Sequence, residues 1–268
     1  MQKFYGRAAA ASVPYYRKEP VALSYGSYKK LYRNAPRWAR ITMGAVAFVA
    51  LAATLNLVYQ VIRKPAELLF PVSGVLSKTP AETWREYAAL FRAHSTAVMT
   101  PELLAALAQV EGAGNPAART PWRMQVSTDP REVYRPASSA VGMYQITDGT
   151  FREAKRYCIR NHVAIEEGCW FNSLYVRVIP SHAIELTSAY LDRSVAAIVA
   201  GHRPAASAAQ KHDLAALVHL CGASAGQAFA RAGYRLAPAQ RCGQHDVRAY
   251  LAQVEAMKRR FARLSALG

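Results

Sequence analysis

The stretch TPELLAALAQVEGAGNP, residues 100–116, predicts a helix that carries a glutamate at its end. Thr100 is a favourable N-cap, Pro101 takes the first helical position, and Glu102 lies in the first turn, where a negative charge favours the helix dipole. The apolar spacing continues to residue 111, and two glycines follow. The stretch therefore predicts a helix of about eleven residues that ends at Glu111.

Glu111 lies on the apolar face of this helix. Burial and the negative end of the helix dipole both favour the neutral form of a carboxyl group there, which is the form that a general acid needs. Gly112 and Gly114 then leave room for a ligand beside it. The alternative is a glutamate at a frayed helix end that reaches solvent. The residues at i, i+3, i+4 and i+7 that share the face are Leu104, Leu107, Ala108 and Glu111.

Downstream, SSAVGMYQITDGTF at 138–151 resembles the G-L-M-Q-I-x-P-A-T motif of the soluble lytic transglycosylase family, relatives of goose-type lysozyme. In that family the motif follows a helix that ends in the catalytic glutamate, normally written E-S. Gly112 stands where serine is usual, and Tyr144 stands where methionine is commonest. Asn115-Pro116 matches the usual end of an F-N-P segment, and the matching motif residues are Gly142, Met143, Gln145 and Ile146.

Two weaker motifs follow in the family's order. VHLCG at 218–222 resembles A-Y-N-A-G, with His219 in the tyrosine position and Cys221 where alanine is usual. DVRAYL at 246–251 resembles E-T-x-x-Y-V and puts Tyr250 in the family's tyrosine position. The resemblance covers about residues 100–255.

The resemblance implies an all-α, lysozyme-like transglycosylase domain at 81–268 that cleaves peptidoglycan without a cofactor or metal. Glu111 would protonate the oxygen between N-acetylmuramic acid and N-acetylglucosamine, and would then accept the proton of the C6 hydroxyl that closes the 1,6-anhydro ring. Asp148 is interpreted as a helix N-cap rather than a second catalytic carboxylate. Gln145 and Tyr250 would position the glutamate and border the groove, whereas Met and Tyr side chains could pack either on sugar faces or in the core. The substrate-binding residues implied are Gln145, Tyr250, Met143, Tyr144 and His219.

Two departures leave alternatives open. The segment between Glu111 and Gly142 is longer than usual, and either borders the sugar groove or is an ordinary surface loop. His219 either changes how the glutamate is held or is a core histidine. The long segment contains Trp122, Asp129, Glu132 and Tyr134.

The N-terminal region predicts a membrane anchor. The chain carries a net charge of +17, and residues 1–40 hold nine cations against one acidic side chain, a net +8. Residues 41–62 have no charged side chain, and 22 helical residues rise roughly 33 Å, enough to cross a bilayer core. Trp38 and Tyr59 are placed like interfacial aromatics. A cleaved signal peptide fits poorly because the leader and apolar run are too long; a buried core helix is the remaining alternative.

Basic residues are denser before this segment than after it, which predicts a cytoplasmic N-terminus and a periplasmic catalytic domain at a bacterial inner membrane. All four cysteines follow the segment, as suits an oxidising compartment. Pairing of neighbours, Cys158 with Cys169 and Cys221 with Cys242, is preferred among three connectivities. A zinc site is the alternative, although no C-x-x-C spacing occurs.

Proline and glycine in residues 63–80 predict a stalk or linker. Beyond it the apolar period is helical, and no stretch predicts a β-hairpin. The predicted helices cover residues 82–97, 101–111, 148–160, 181–201, 206–220 and 245–265, with Asp148 and Ser181 as expected caps.

The composition, 52% apolar, excludes a disordered chain. The expected partners are peptidoglycan strands, the inner membrane and envelope machinery. Nucleic acid is disfavoured, because the basic leader with its six tyrosines serves better as a topology signal or for docking to anionic lipid. Two functional alternatives remain: a muramidase that uses water, and a degenerate peptidoglycan-binding scaffold, which Gly112 and His219 would favour.

Overall fold

The computed structural model describes residue 29 and residues 32–69, 73–202 and 205–267. Most of the basic leader therefore lies outside the described residues. The chain divides into two units, Met1–Thr54 and Leu55–Gly268. The second unit contains every residue of the predicted site.

Helix α1, Arg37–Arg63, includes the whole predicted span of residues 41–62. Among the described residues it is the one helix long and apolar enough to cross a membrane, and its most apolar window has no buried residue. A core helix of a soluble protein would be covered by other helices, whereas this window is not.

The rest of the described chain is mostly helical, which confirms the predicted fold class. Thr79, Thr100, Ser207 and Asp246 cap their helices by accepting a backbone N–H from the first turn. The helices are α2 Pro80–Ala93, α3 Pro101–Gly112, α4 Asp148–Ala154, α5 Pro180–Ala200, α6 Ala208–Cys221, α7 Ala223–Arg231 and α8 Val247–Ala266. Four 3₁₀ segments accompany them, at Pro65–Leu69, Gly74–Leu76, Pro130–Glu132 and Trp170–Leu174.

Helix α3 lies at the centre of the core. Six consecutive residues, 103–108, are buried, so the helix is covered on all sides along this stretch. It packs against α8 and α2. A helix with only one apolar face could not be surrounded in this way. Here every face is apolar, because the run LLAALA contains only leucine and alanine.

Three antiparallel two-stranded hairpins were not predicted. They pair β1 Trp122–Met124 with β2 Tyr134–Pro136, β3 Cys158–Arg160 with β4 Val163–Ile165, and β5 Arg241–Cys242 with β6 His245–Asp246. Strands of two or three residues are too short to show the alternation that identifies a strand in sequence. The expectation of no hairpin was therefore wrong. Helix α4 ends at Ala154, before the β3–β4 hairpin, and not near residue 160 as expected.

Two predicted caps were also wrong. Thr147 caps α4, with its hydroxyl accepting the N–H of Thr150 at 3.4 Å. Asp148 lies one position later, in the first turn, and pairs with Arg177 at 2.7 Å. Helix α5 begins with Pro180 in its first position, so Ser181 is already helical.

The described parts of the predicted linker, residues 63–80, pack on the end of α3. The Lys78 N–H donates to the carbonyl of Ala113 at 2.8 Å, and the Gln109 amide donates to the carbonyl of Lys78 at 2.9 Å. The buried Asn115 amide donates to the carbonyl of Ser73. This segment is part of the domain rather than a free stalk.

Both preferred cysteine pairings are present as disulfides, with Cα–Cα distances of 5.4 Å for Cys158–Cys169 and 5.6 Å for Cys221–Cys242. The first closes the β3–β4 hairpin onto the following 3₁₀ segment. The second joins the end of α6 to strand β5. No cluster that could bind a metal occurs among the described residues.

Candidate active site

Glu111 lies in the last turn of α3, and its side chain is 17% exposed. Ala113 ends the helix in the left-handed conformation, with φ of 50°. The buried body of α3 therefore fixes the backbone of Glu111, while the carboxyl group still reaches solvent. A carboxyl group that must meet a substrate needs both properties.

Tyr250 of α8 holds this carboxyl group. Its hydroxyl donates to Glu111 Oε1 at 2.5 Å. Burial, reinforced by the neighbouring carboxylate and this hydrogen bond, raises the pKa of Tyr250 well above its usual value, so the phenol stays protonated and remains a donor. The contact forms because α8 and α3 pack directly together.

His219 of α6 approaches the same oxygen. Its Nε2 atom lies 3.8 Å from Glu111 Oε1, and its side chain is only 9% exposed. The imidazole packs edge-on against Tyr144, with ring centroids 6.5 Å apart. Helices α3, α6 and α8 therefore converge on one oxygen of the glutamate.

The second oxygen, Oε2, differs from the first. In the part of the chain that the structure describes, no donor forms a hydrogen bond to it. A phenol that donates to Oε1 leaves Oε2 as the position for a transferable proton. The arrangement can therefore present a carboxylic acid, or its carboxylate, to a bound ligand.

Gly112 is required by the packing of this helix end. A Cβ atom at this position would lie 2.8 Å from both the Cα and the carbonyl oxygen of Met143. These are backbone atoms, which cannot rotate out of the way. The departure from the usual serine therefore has a structural reason: the loop containing Met143 lies directly against α3.

This loop, residues 138–148, is held by its own backbone and by Gln145. Gln145 adopts a positive φ of 47°, and its amide donates to the carbonyls of Gly142 at 2.9 Å and Ala118 at 3.2 Å. Gly142 has φ of 82°, and a Cβ there would collide with the carbonyl oxygen of Arg177. Gln145 thus stabilises the loop beside the helix end, and none of its described hydrogen bonds reaches Glu111.

Met143 and Tyr144 lie in the core. Both are fully buried, and the Tyr144 hydroxyl donates to the carbonyl of Leu104 at 3.1 Å. Burial raises the pKa of this phenol well above its usual value. Without exposed surface these side chains do not line a groove, contrary to the expectation from the motif; they support α3 and His219 from beneath.

Arg177 is a further residue of this region that the sequence did not reveal. Its guanidinium donates to the carbonyls of Ser139 at 2.9 Å and Ile146 at 2.8 Å, and pairs with Asp148. It therefore clamps both ends of the loop. Because its partners are mainly backbone carbonyls distant in the chain, no local pattern distinguishes it from a surface arginine.

The described chain thus combines a mostly helical domain with a partly exposed glutamate at the end of a largely buried helix, held by a tyrosine from a neighbouring helix. Residues 89–209 match the family described as the transglycosylase SLT domain. This match confirms the resemblance inferred from the motifs. The match covers less than half of the chain and includes Glu111 and the 138–151 motif, whereas His219 and Tyr250 lie beyond it. The chain has no significant match among curated proteins.

Proposed function

We propose that the protein is a membrane-anchored peptidoglycan lytic transglycosylase with Glu111 as its single acid and base. The observation that carries the proposal is the hydrogen bond from Tyr250 to Glu111 Oε1. It lies at the end of a largely buried helix, where the glutamate is still partly exposed. The transglycosylase domain match supports peptidoglycan as the substrate.

In the first step, Glu111 Oε2 gives its proton to the oxygen that links N-acetylmuramic acid to N-acetylglucosamine. The C1–O bond breaks, its electron pair leaves with the N-acetylglucosamine oxygen, and an oxocarbenium-like centre develops at C1. The muramic acid 2-acetamido oxygen stabilises this centre. Glu111 is now a carboxylate, and the protonated phenol of Tyr250 stabilises its negative charge.

In the second step, the same carboxylate takes the proton of the muramic acid C6 hydroxyl. The C6 oxygen attacks C1 and forms the 1,6-anhydro ring, and Glu111 regains its proton. No water is consumed. Because one group serves in turn as acid and base, its position must not change between steps, and α3 provides this rigidity.

The anchoring part of the proposal is supported by α1 and by the disulfides. Helix α1 has the length and apolar surface of a membrane span. Two disulfides in the second unit suit an oxidising periplasm. We therefore place the N-terminus in the cytoplasm and the transglycosylase domain on the periplasmic side of a bacterial inner membrane, with His219 and the motif loop beside the glycan strand.

The test compares purified full-length protein with its Glu111→Gln variant on isolated sacculi. The wild type is expected to release muropeptides with 1,6-anhydro ends, and the variant to lose release by at least about a hundredfold, as expected for loss of a general acid. Glu153→Gln, at an exposed position on α4, is the matched control and should retain activity. Full release by Glu111→Gln would make the assignment wrong.

Product mass separates the two remaining functions. A muramidase would give reducing ends one water heavier than the anhydro ends. A binding scaffold would sediment with sacculi and release nothing even as wild type. The packing of Gly112 against Met143 weakens one argument for the scaffold, because this glycine has a structural role beside an otherwise assembled site.

A further inference from the structure

The β1–β2 hairpin exposes apolar side chains that the core does not use. Met124 is 75% exposed and Val126 is fully exposed. At the base of the hairpin the rings of Trp122 and Tyr134 contact each other, with centroids 5.1 Å apart. Apolar and aromatic side chains are therefore gathered on one short hairpin at the surface.

The turn of this hairpin is attached to α1. The carbonyl of Arg131 accepts hydrogen bonds from Gln60 at 2.7 Å and from Asn56 at 3.2 Å. The Arg131 guanidinium lies over the ring of Tyr59, 5.2 Å from its centroid. These α1 residues belong to the same unit as the hairpin. The turn is thus fixed to two successive helical turns of α1.

The position of these contacts along α1 corresponds to a membrane surface. A bilayer core requires about 20 helical residues, and 20 residues counted from Ile41, the first after Arg40, end at Gln60. Tyr59 and Gln60 then lie where the core meets the headgroups, and Asn56 lies one helical turn inside that level. Tyrosine and tryptophan are enriched at this level.

Ion pairs offset part of the charge around the turn. Glu132 accepts from Arg63 at 3.0 Å and from Arg135 at 2.6 Å. Arg131 pairs with Asp129 at 2.9 Å. Paired charges bring less desolvation cost to a lipid interface than free ones, and they leave the apolar side chains as the main contact.

We propose that the hairpin of residues 122–136 is a second membrane contact, in which Met124 and Val126 insert into the lipid interface beside α1. The inference rests on the proposed anchoring by α1. Such a contact would hold the domain against the bilayer and restrict cleavage to glycan strands close to the membrane.

The experiment places an environment-sensitive fluorophore on Val126→Cys in the full-length protein, since the native cysteines of the described chain are disulfide-bonded. The protein is reconstituted into phosphatidylethanolamine–phosphatidylglycerol vesicles. A probe on Leu267→Cys, an exposed position at the end of α8, is the matched control. We expect brominated lipid to reduce the Val126 signal at least twofold and to leave the Leu267 signal unchanged.

Flotation of the vesicles separates the possible failures. Protein that floats with the vesicles while the Val126 probe stays unquenched overturns the hairpin contact and leaves the anchor standing. Protein that does not float overturns the anchor and the hairpin contact together. If soluble glycan fragments shield the Val126 probe in detergent, the hairpin belongs to the sugar groove and the lipid contact is refuted.

Discussion

Restoring serine at position 112 should damage the protein, although serine is what the family motif normally contains. The Cβ of Gly112→Ser would lie 2.8 Å from the Cα and carbonyl oxygen of Met143. Ordinary carbon contacts begin near 3.5 Å, so α3 and the loop would have to separate by about 0.7 Å. Met143 is fully buried, which leaves no free space into which the loop can move.

Overpacking of this kind costs about 1–3 kcal/mol. For a domain of this size, about 2 kcal/mol corresponds to a fall in Tm of about 4–8 °C. A displacement of nearly 1 Å at the end of α3 also moves Glu111, and such a misplacement reduces the rate by up to about a hundredfold. The expected result is a protein that folds, melts several degrees earlier and cleaves sacculi poorly.

The measurement is a thermal melt together with muropeptide release by purified full-length protein. Gly149→Ala is the control, because a Cβ at this helical position meets no atom within 4 Å. That variant should keep its activity and melt at the same temperature or slightly higher. A Gly112→Ser protein as stable and as active as the wild type would refute the argument that close packing requires the glycine.

Tyr250→Phe should lower muropeptide release about 10- to 100-fold, because it removes the hydrogen bond that stabilises the Glu111 carboxylate formed in the first step. An unchanged rate would contradict the role given to the phenol. Cys221→Ala/Cys242→Ala removes a disulfide between residues 21 positions apart, and should lower the free energy of unfolding by about 3 kcal/mol and Tm by about 6–12 °C. Equal melting of the wild type with and without reductant would count against this prediction. Burial lowers the pKa of His94, so the unfolded chain binds more protons below about pH 6.5 and the free energy of unfolding should fall as the pH drops from 7 to 5. His94→Gln should reduce that dependence without removing it, because burial also lowers the pKa of His182 and His212; denaturant melts at each pH measure it.

The parts of the fold that the sequence predicted are those determined locally. The N-cap at Thr100, the helix that ends beside Glu111 and the two cysteine pairings follow from caps, apolar period and short separations. The contact between Glu111 and Tyr250 was anticipated from the motif, since the two residues are 139 positions apart and no local pattern connects them.

The errors concern tertiary packing. A motif identifies residues that matter without saying why, so Tyr144 was expected in a groove whereas it is buried under α3. Asp148 looked like a cap because Asp is a good one, but Thr147 precedes it and takes that position. The residues of 63–80 looked like a stalk because proline and glycine are common in linkers, and their attachment depends on partners such as Asn115 and Gln109.

The burial of residues 103–108 also determines how the protein should respond to heat. Amide hydrogens in fully covered helices exchange with solvent only when the whole domain unfolds, whereas short surface hairpins exchange through local opening. Residues 103–108, which form the body of the helix that carries Glu111, belong to the first category. Local openings elsewhere should therefore leave the carboxyl group in place, and catalytic activity should persist on warming until the cooperative melting of the domain.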